Sequence, residues 1–266
     1  MANDYPIGIF DSGVGGLTVA KELIRQLPAE DIVYFGDTAR VPYGIKSKET
    51  VIRFSIENIL FLLKQSVKLI CVACNTVSSV ALPVIKNHFR APIVGVLTPA
   101  VREAVYATQN KRIGVIGTPS TIKSHSYENL IKEFDPEIKV FSAATPLFVP
   151  LVEEGWINTP VTKDVARKYL EPLIKKNVDT LILGCTHYPL LKSVLQEVLG
   201  RKVTLIDSAK QVGMEVKKML VSENLLSSTK KGKARFYVSD NPEWFTNLAE
   251  RFLGYPVKDV SKAELS

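Results

Sequence analysis

Short apolar runs bounded by turn residues alternate along this chain with stretches whose apolar positions recur at helical spacing. The runs PIGIF (6–10), DIVYFG (31–36) and VKLICVA (67–73) predict strands, and the segments 17–27, 49–65 and 77–88 predict helices. After APIVGVLTPA the pattern restarts with RIGVIG (112–117) and continues through EIKVFSA (137–143), a long helical stretch and VDTLILG (178–184). Such alternation predicts α/β architecture with mainly parallel sheets, and the restart predicts a second α/β unit.

The two units resemble each other in sequence. IGIFDS (7–12) matches IGVIGT (113–118), VKLICVACNT (67–76) matches VDTLILGCTH (178–187), and VGVLTP (94–99) shadows TLIDSA (204–209). The three offsets, 106, 111 and 110 residues, are nearly constant and fall in order, which points to a duplicated unit. Ligands of open parallel sheets collect beyond the carboxyl ends of the strands. The positions of interest are therefore Asp11 and Ser12, Cys74 to Thr76, Thr118, and Cys185 to His187.

At 266 residues, 46% hydrophobic and 23% charged, the chain has the composition of a globular protein with a sizeable core and suits two domains. Apolar runs such as ILFLL fall far short of the ~20 residues of a membrane helix. MANDYPIGIF lacks the basic and apolar regions of a signal peptide, so a cytoplasmic location with reduced thiols is expected. The net charge of +7 is spread along helices and interleaved with acids, as on a solvated surface. The one basic cluster, KKGKAR at 230–235, reads as an exposed linker, and no zinc-finger spacing or aromatic RNA-binding motif accompanies it, so no nucleic-acid partner is required. The glycines of SGVGG do not complete GxGxxG, because Thr18 stands at the last position, and GxxxxGK is absent, so a nucleotide site is poorly supported.

Three readings compete for the cysteines. Cys71, Cys74, Cys185 and His187 have the ligand types of a tetrahedral zinc site. Cys71 and Cys74 also form a CxxC, as in dithiol redox proteins. The internal alignment favours neither, because Cys71 matches Ile182 inside a strand whereas Cys74 matches Cys185 just past one. Residues three apart in extended chain point to opposite faces, so Cys71 reads as a small core residue. The third reading is a catalytic pair contributed by equivalent positions of two facing halves, one thiol on each side of a small ligand. Inversion at a carbon needs that geometry: one base removes a proton from one face and a conjugate acid supplies one to the other. A thiol, with an ordinary pKa of about 8.5, can serve in either form near neutral pH.

With IGIFDSGVGGLTV, YFGDTARVPYG, CVACNTVSS, GVIGTPSTI and LGCTHYPLL present in that order, the chain resembles the glutamate racemases of the cofactor-independent aspartate/glutamate racemase superfamily. The resemblance covers residues 7 to about 209. It implies two pseudo-symmetric α/β domains facing each other across a cleft, 1–97 plus 209–266 carrying Cys74 and 98–208 carrying Cys185. It also implies interconversion of L- and D-glutamate without metal or other cofactor, supply of D-glutamate for peptidoglycan, and a homodimer. Cys74 would deprotonate the D-enantiomer and Cys185 the L-enantiomer. Asp11, otherwise a helix cap, would contact the substrate ammonium or assist Cys74, and His187 would partner Cys185. Tyr43 and Gly44 match substrate contacts of the family. Ser12, Asn75, Thr76, Thr118, Thr121 and Thr186, each of which could be a turn or cap residue, would form a neutral lining rich in donors. Asp37 and Glu153 are weaker candidates behind it. Aspartate racemase or a related isomerase is the nearest alternative, and a non-catalytic small-anion-binding protein is another.

Overall fold

A computed structural model describes residues 3–228 and 231–265. The strands β1 (Ile7–Asp11), β2 (Ile32–Gly36), β3 (Leu69–Val72) and β4 (Ile93–Gly95) open the chain; β5 (Arg112–Gly117), β6 (Lys139–Ala144), β7 (Thr180–Gly184) and β8 (Thr204–Asp207) follow, then β9 (Ala234–Val238) and β10 (Val260–Lys262). The helices of the first half are α1 (Leu17–Gln26), α2 (Lys48–Lys64), α3 (Asn75–Val80) and α4 (Leu82–Ile85). Those that follow are α5 (Leu97–Ala107), α6 (Pro119–Lys123), α7 (Ser126–Phe134), α8 (Phe148–Glu153), α9 (Pro160–Ile174), α10 (Lys192–Leu199), α11 (Ser208–Ser222) and α12 (Pro242–Leu253). Among the described residues no helix is long and apolar enough to cross a membrane.

All described pairings are parallel, in two sheets with the orders β10-β9-β2-β1-β3-β4 and β6-β5-β7-β8. The order β2-β1-β3-β4 thus recurs as β6-β5-β7-β8. Register repeats as well: Ile7 pairs with Leu69 and Ile113 with Thr180, the very positions matched by the internal alignment. Helices cover both faces of such sheets, so the central strands are buried throughout and read as continuous apolar runs. A single apolar core contains Ile7, Ile9 and Cys71 from the first sheet together with Ile116, Leu181 and Leu183 from the second, so the two halves share an interior.

Two segments differ from the sequence expectation. The helix expected over 77–88 begins at Asn75 and breaks after Val80; α4 and a 3₁₀ turn (Lys86–His88) complete it. Pro83, in the first turn of α4, has no N–H to continue the helix begun by α3. The basic cluster is not wholly a linker, because Ala234 and Arg235 open β9, which pairs with β2. Lys230 lies outside the described residues. Lys233 N–H donates to Asp31 Oδ1 at 2.7 Å, which seats the start of the strand.

Candidate active site

Both thiols follow directly on central strands. Cys74 is the residue before α3, whose first turn its carbonyl accepts from Ser78 N–H at 2.9 Å, and Cys185 follows β7. They are 5% and 7% exposed, and both line one cavity of about 250 Å³. Cys71, by contrast, is fully buried. It packs in the shared core with Ala73, while Ile70, Val72 and Cys74 belong to a separate core on the other face of β3. Strand alternation therefore takes Cys71 out of any site built on Cys74. Among the described residues no group of three or more His, Cys, Asp and Glu side chains could hold a metal ion.

The Cys74 side is acidic. Its Sγ lies 3.7 Å from Ser12 Oγ. Beneath the turn after β1, Asp11 is fully buried: Oδ2 accepts from Gly13 N–H at 2.9 Å, and among the described residues Oδ1 meets no donor within hydrogen-bond geometry. Tyr34 Oη fixes the same turn by donating to the Gly13 carbonyl at 2.7 Å. Burial raises the pKa of Asp11, against the pull of His187. Burial, and then the neighbouring Asp11, push the Cys74 thiol up to about 12.

The Cys185 side carries a cation. His187 Nδ1 faces Cys185 Sγ at 3.8 Å, and Nε2 lies 2.9 Å from Glu153 Oε1. Burial pulls the His187 pKa down, but its contacts with Cys185 and Glu153 outweigh that and raise it to about 10. Thr186 Oγ1 stands 3.5 Å from His187 Nδ1, and the Thr186 carbonyl accepts from Thr18 Oγ1 at 3.0 Å, which ties this turn to α1. Gly15 packs so closely here that a Cβ would fall 2.4 Å from His187 Nδ1.

Hydroxyls and one amide complete the lining. Thr76 Oγ1 lies 3.0 Å from Thr118 Oγ1 and 3.3 Å from Thr121 Oγ1, joining the two halves. Asn75 Oδ1 accepts from Tyr127 Oη at 2.6 Å, and among the described residues Nδ2 has no hydrogen-bond partner. The 3₁₀ turn Tyr43–Ile45 closes one end. Tyr43 Oη donates to Asp37 and accepts from Asn58 Nδ2 at 3.2 Å, while Asp37 also accepts from Arg40 Nε at 2.7 Å and Ser239 Oγ at 2.8 Å.

Of the residues singled out in the sequence, Ser12, Tyr43, Gly44, Cys74, Asn75, Thr76, Thr118, Glu153, Cys185, Thr186 and His187 line the cavity. Asp11, Thr121 and Asp37 stand behind it. Asp11 is fully buried beneath its turn and is not among the lining residues, whereas the adjacent Ser12 is. Sequence reasoning passed over Thr145, Tyr188 and the apolar wall of Val41, Pro42, Val149 and Pro150. Thr145 follows β6 as Thr118 follows β5, so the strand-end rule points to it; its hydroxyl donates to Tyr188 Oη at 2.6 Å. Among the described residues the cavity is lined by neither lysine nor arginine.

A sequence profile described as Asp/Glu/Hydantoin racemase matches residues 7–212. The chain is 50% identical over 260 residues to the glutamate racemase of Geobacter metallireducens, covering 97% of this chain and 96% of that one. It is similar to the crystal structure of the Francisella tularensis glutamate racemase in complex with D-glutamate, with TM-score 0.93, 40% identity and 98% of each chain covered. The Thermus thermophilus glutamate racemase in complex with β-chloro-D-alanine gives TM-score 0.91 and 46% identity over 100% of this chain and 99% of that one.

Proposed function

The chain belongs to the Asp/Glu/hydantoin racemase family, and from that membership we propose that it is a glutamate racemase in which Cys74 and Cys185 act as opposed acid and base on one Cα. The observation that carries the reading is the pair of thiols, one from the same strand-end position of each half, opening into a single cavity. Relatives of 40–50% identity that bear the name glutamate racemase support glutamate as the substrate.

In the L-to-D direction, Cys185 takes the α-proton as thiolate and Cys74 delivers a proton to the opposite face. The high pKa of Cys74 suits a thiol acid, and the His187 imidazolium offsets charge at the Cys185 sulfur. In the reverse direction the roles exchange. An α-proton of an amino acid is far less acidic than a thiol, so the rate must come from positioning between two bases and from electrostatic stabilisation of a carbanion-like state in a small cleft. Donors on Ser12, Asn75, Thr76, Thr118 and Thr186 would hold the substrate carboxylates. Asp11 would act on Cys74 through its charge, Asp37 would hold Tyr43 against the substrate, and Glu153 would orient His187.

This reading includes the division of the chain into 1–97 plus 209–266 and 98–208, supported by the packing of α5 on β7 and β8 and of α12 on α1. It also includes a homodimer in the cytoplasm supplying D-glutamate for peptidoglycan. Purified protein incubated with L-glutamate and EDTA, without added cofactor, should yield equal amounts of the two enantiomers by chiral chromatography. Unchanged L-glutamate would overturn the reading.

A further inference from the structure

The C-terminal helix α12 reaches the Cys185 side of the cleft from outside it. Arg251 Nη1 donates to the carbonyl of Val152 at 3.1 Å and to that of Glu153, the last two residues of α8. Carbonyls at a helix end lack intrahelical partners, and a cation there both bonds them and meets the negative end of the helix. Gly155, with φ of +77°, makes room for the guanidinium, since a Cβ there would lie 2.9 Å from Nη2. The next residue of α12, Phe252, is buried and sets its ring edge-on to His187, with centroids 5.2 Å apart. Two consecutive residues of one helix thus hold the backbone of Glu153 and the ring of His187, whose side chains meet at 2.9 Å.

We propose that Arg251 is a positioning residue for the Cys185 half of the site: it fixes the end of α8, holds Glu153 against His187 Nε2, and so aims the imidazole at Cys185. Cys74 takes its neighbours from the other half of the site, Asp11 at the end of β1 and Ser12 just after it, so the larger effect falls on the Cys185 face. The proposal rests on the two-thiol reading.

Racemisation itself cannot report a one-sided effect. The enantiomers have equal free energy and both directions use both thiols, so kcat/KM must change equally in the two directions. Elimination from 3-chloroalanine separates the faces. The α-proton passes to one sulfur, the C–H electron pair becomes the Cα–Cβ double bond, and chloride departs with the C–Cl pair. The 2-aminoacrylate released hydrolyses to pyruvate and ammonium. No second proton donor on the opposite face is needed.

With Arg251→Ala, elimination from the L-enantiomer should fall about ten-fold or more, the scale of misplacing a reacting group by a fraction of an ångström, while elimination from the D-enantiomer stays within about two-fold of the parent protein. The D-face rate doubles as the control for folding. Arg251→Lys, which still donates to one carbonyl, should recover much of the lost L-face rate. Equal losses on both faces, or an undiminished L-face rate, would overturn the proposal. Cys185→Ser, measured alongside, should lose elimination from the L-form and keep it from the D-form. Should it keep the L-face reaction, the two-thiol reading falls and this proposal with it; should it behave as expected while Arg251→Ala loses both faces, only the role of Arg251 falls.

Discussion

Glu153 Oε1 lies 2.9 Å from His187 Nε2, and this contact joins the end of α8 to the turn after β7. With Nδ1 facing Cys185, both ring nitrogens are engaged. The imidazolium therefore has acceptors on two sides inside a buried site, while Cys74, which lines the same cavity, lies next to the carboxylate of Asp11. One side favours negative charge on sulfur and the other opposes it.

The first prediction concerns that imidazolium. Its Cε1–H resonance should titrate near pH 10 instead of near 6.5, and Glu153→Gln should move the midpoint down. The sign for stability follows from linkage. A folded-state pKa above the unfolded value contributes stability that is fully present below about 6.5 and is lost as pH rises through about 10. In urea unfolding, the parent protein's advantage over Glu153→Gln should shrink across that window. A His187 resonance titrating near 6.5 would refute the arrangement.

Cys74 should be a sluggish nucleophile in the free protein. Only the thiolate reacts, and burial together with Asp11 holds the thiol near 12. Asp11→Asn removes the anion, so iodoacetamide should modify Cys74 faster at pH 8, by up to about ten-fold for each unit the pKa falls. Site-resolved mass spectrometry measures this. A slower or unchanged rate at Cys74 would mean that Asp11 does not act on the thiol through its charge.

The cysteines and the central strands were the most legible features of the sequence. A two-residue period puts Cys71 and Cys74 on different faces of β3, and the repeat at nearly constant offset is realised as the same strand order and the same register. The depth of Asp11 was not legible, because a strand-end position does not reveal that the following turn folds back over the carboxylate. The pairing of Glu153 with His187 was also hidden: 34 residues separate them, and the contact depends on how α8 ends. β9 and β10 carry no motif, and their half-exposed pattern gives a weak periodic signal for joining the β2 edge.

Gly44→Ala tests the contact that closes the cavity at its Tyr43 end. A Cβ on Gly44 would lie 2.6 Å from Thr118 Cβ, too close for either backbone to ignore. Since Tyr43 remains tethered to Asp37 and Asn58, the turn should lift from Thr118 without unfolding. KM for glutamate should rise about ten-fold, equivalent to about 1.4 kcal/mol of binding, with little change in Tm. An unchanged KM would show that this end of the cavity does not hold substrate.

The last prediction distinguishes two thiols from one. In D₂O both sulfurs exchange with solvent, so the acid that completes inversion delivers deuterium. Starting from L-glutamate at low conversion, nearly all D-glutamate formed should carry deuterium at Cα, because its new bond comes from Cys74 while the abstracted protium sits on Cys185. Recovered L-glutamate should carry far less, since protium returned from Cys185 to the face it left restores the unlabelled compound. A single base swinging from one face to the other would instead return its own protium and give unlabelled D-glutamate. In Cys74→Ser the serine hydroxyl is too weak an acid to finish inversion, yet Cys185 can still remove and return a proton. That variant should slowly wash deuterium into L-glutamate without making the D-form. Mass spectrometry after chiral separation reads each species directly. D-glutamate bearing mainly protium, or racemisation retained by Cys74→Ser, would eliminate the opposed-thiol mechanism.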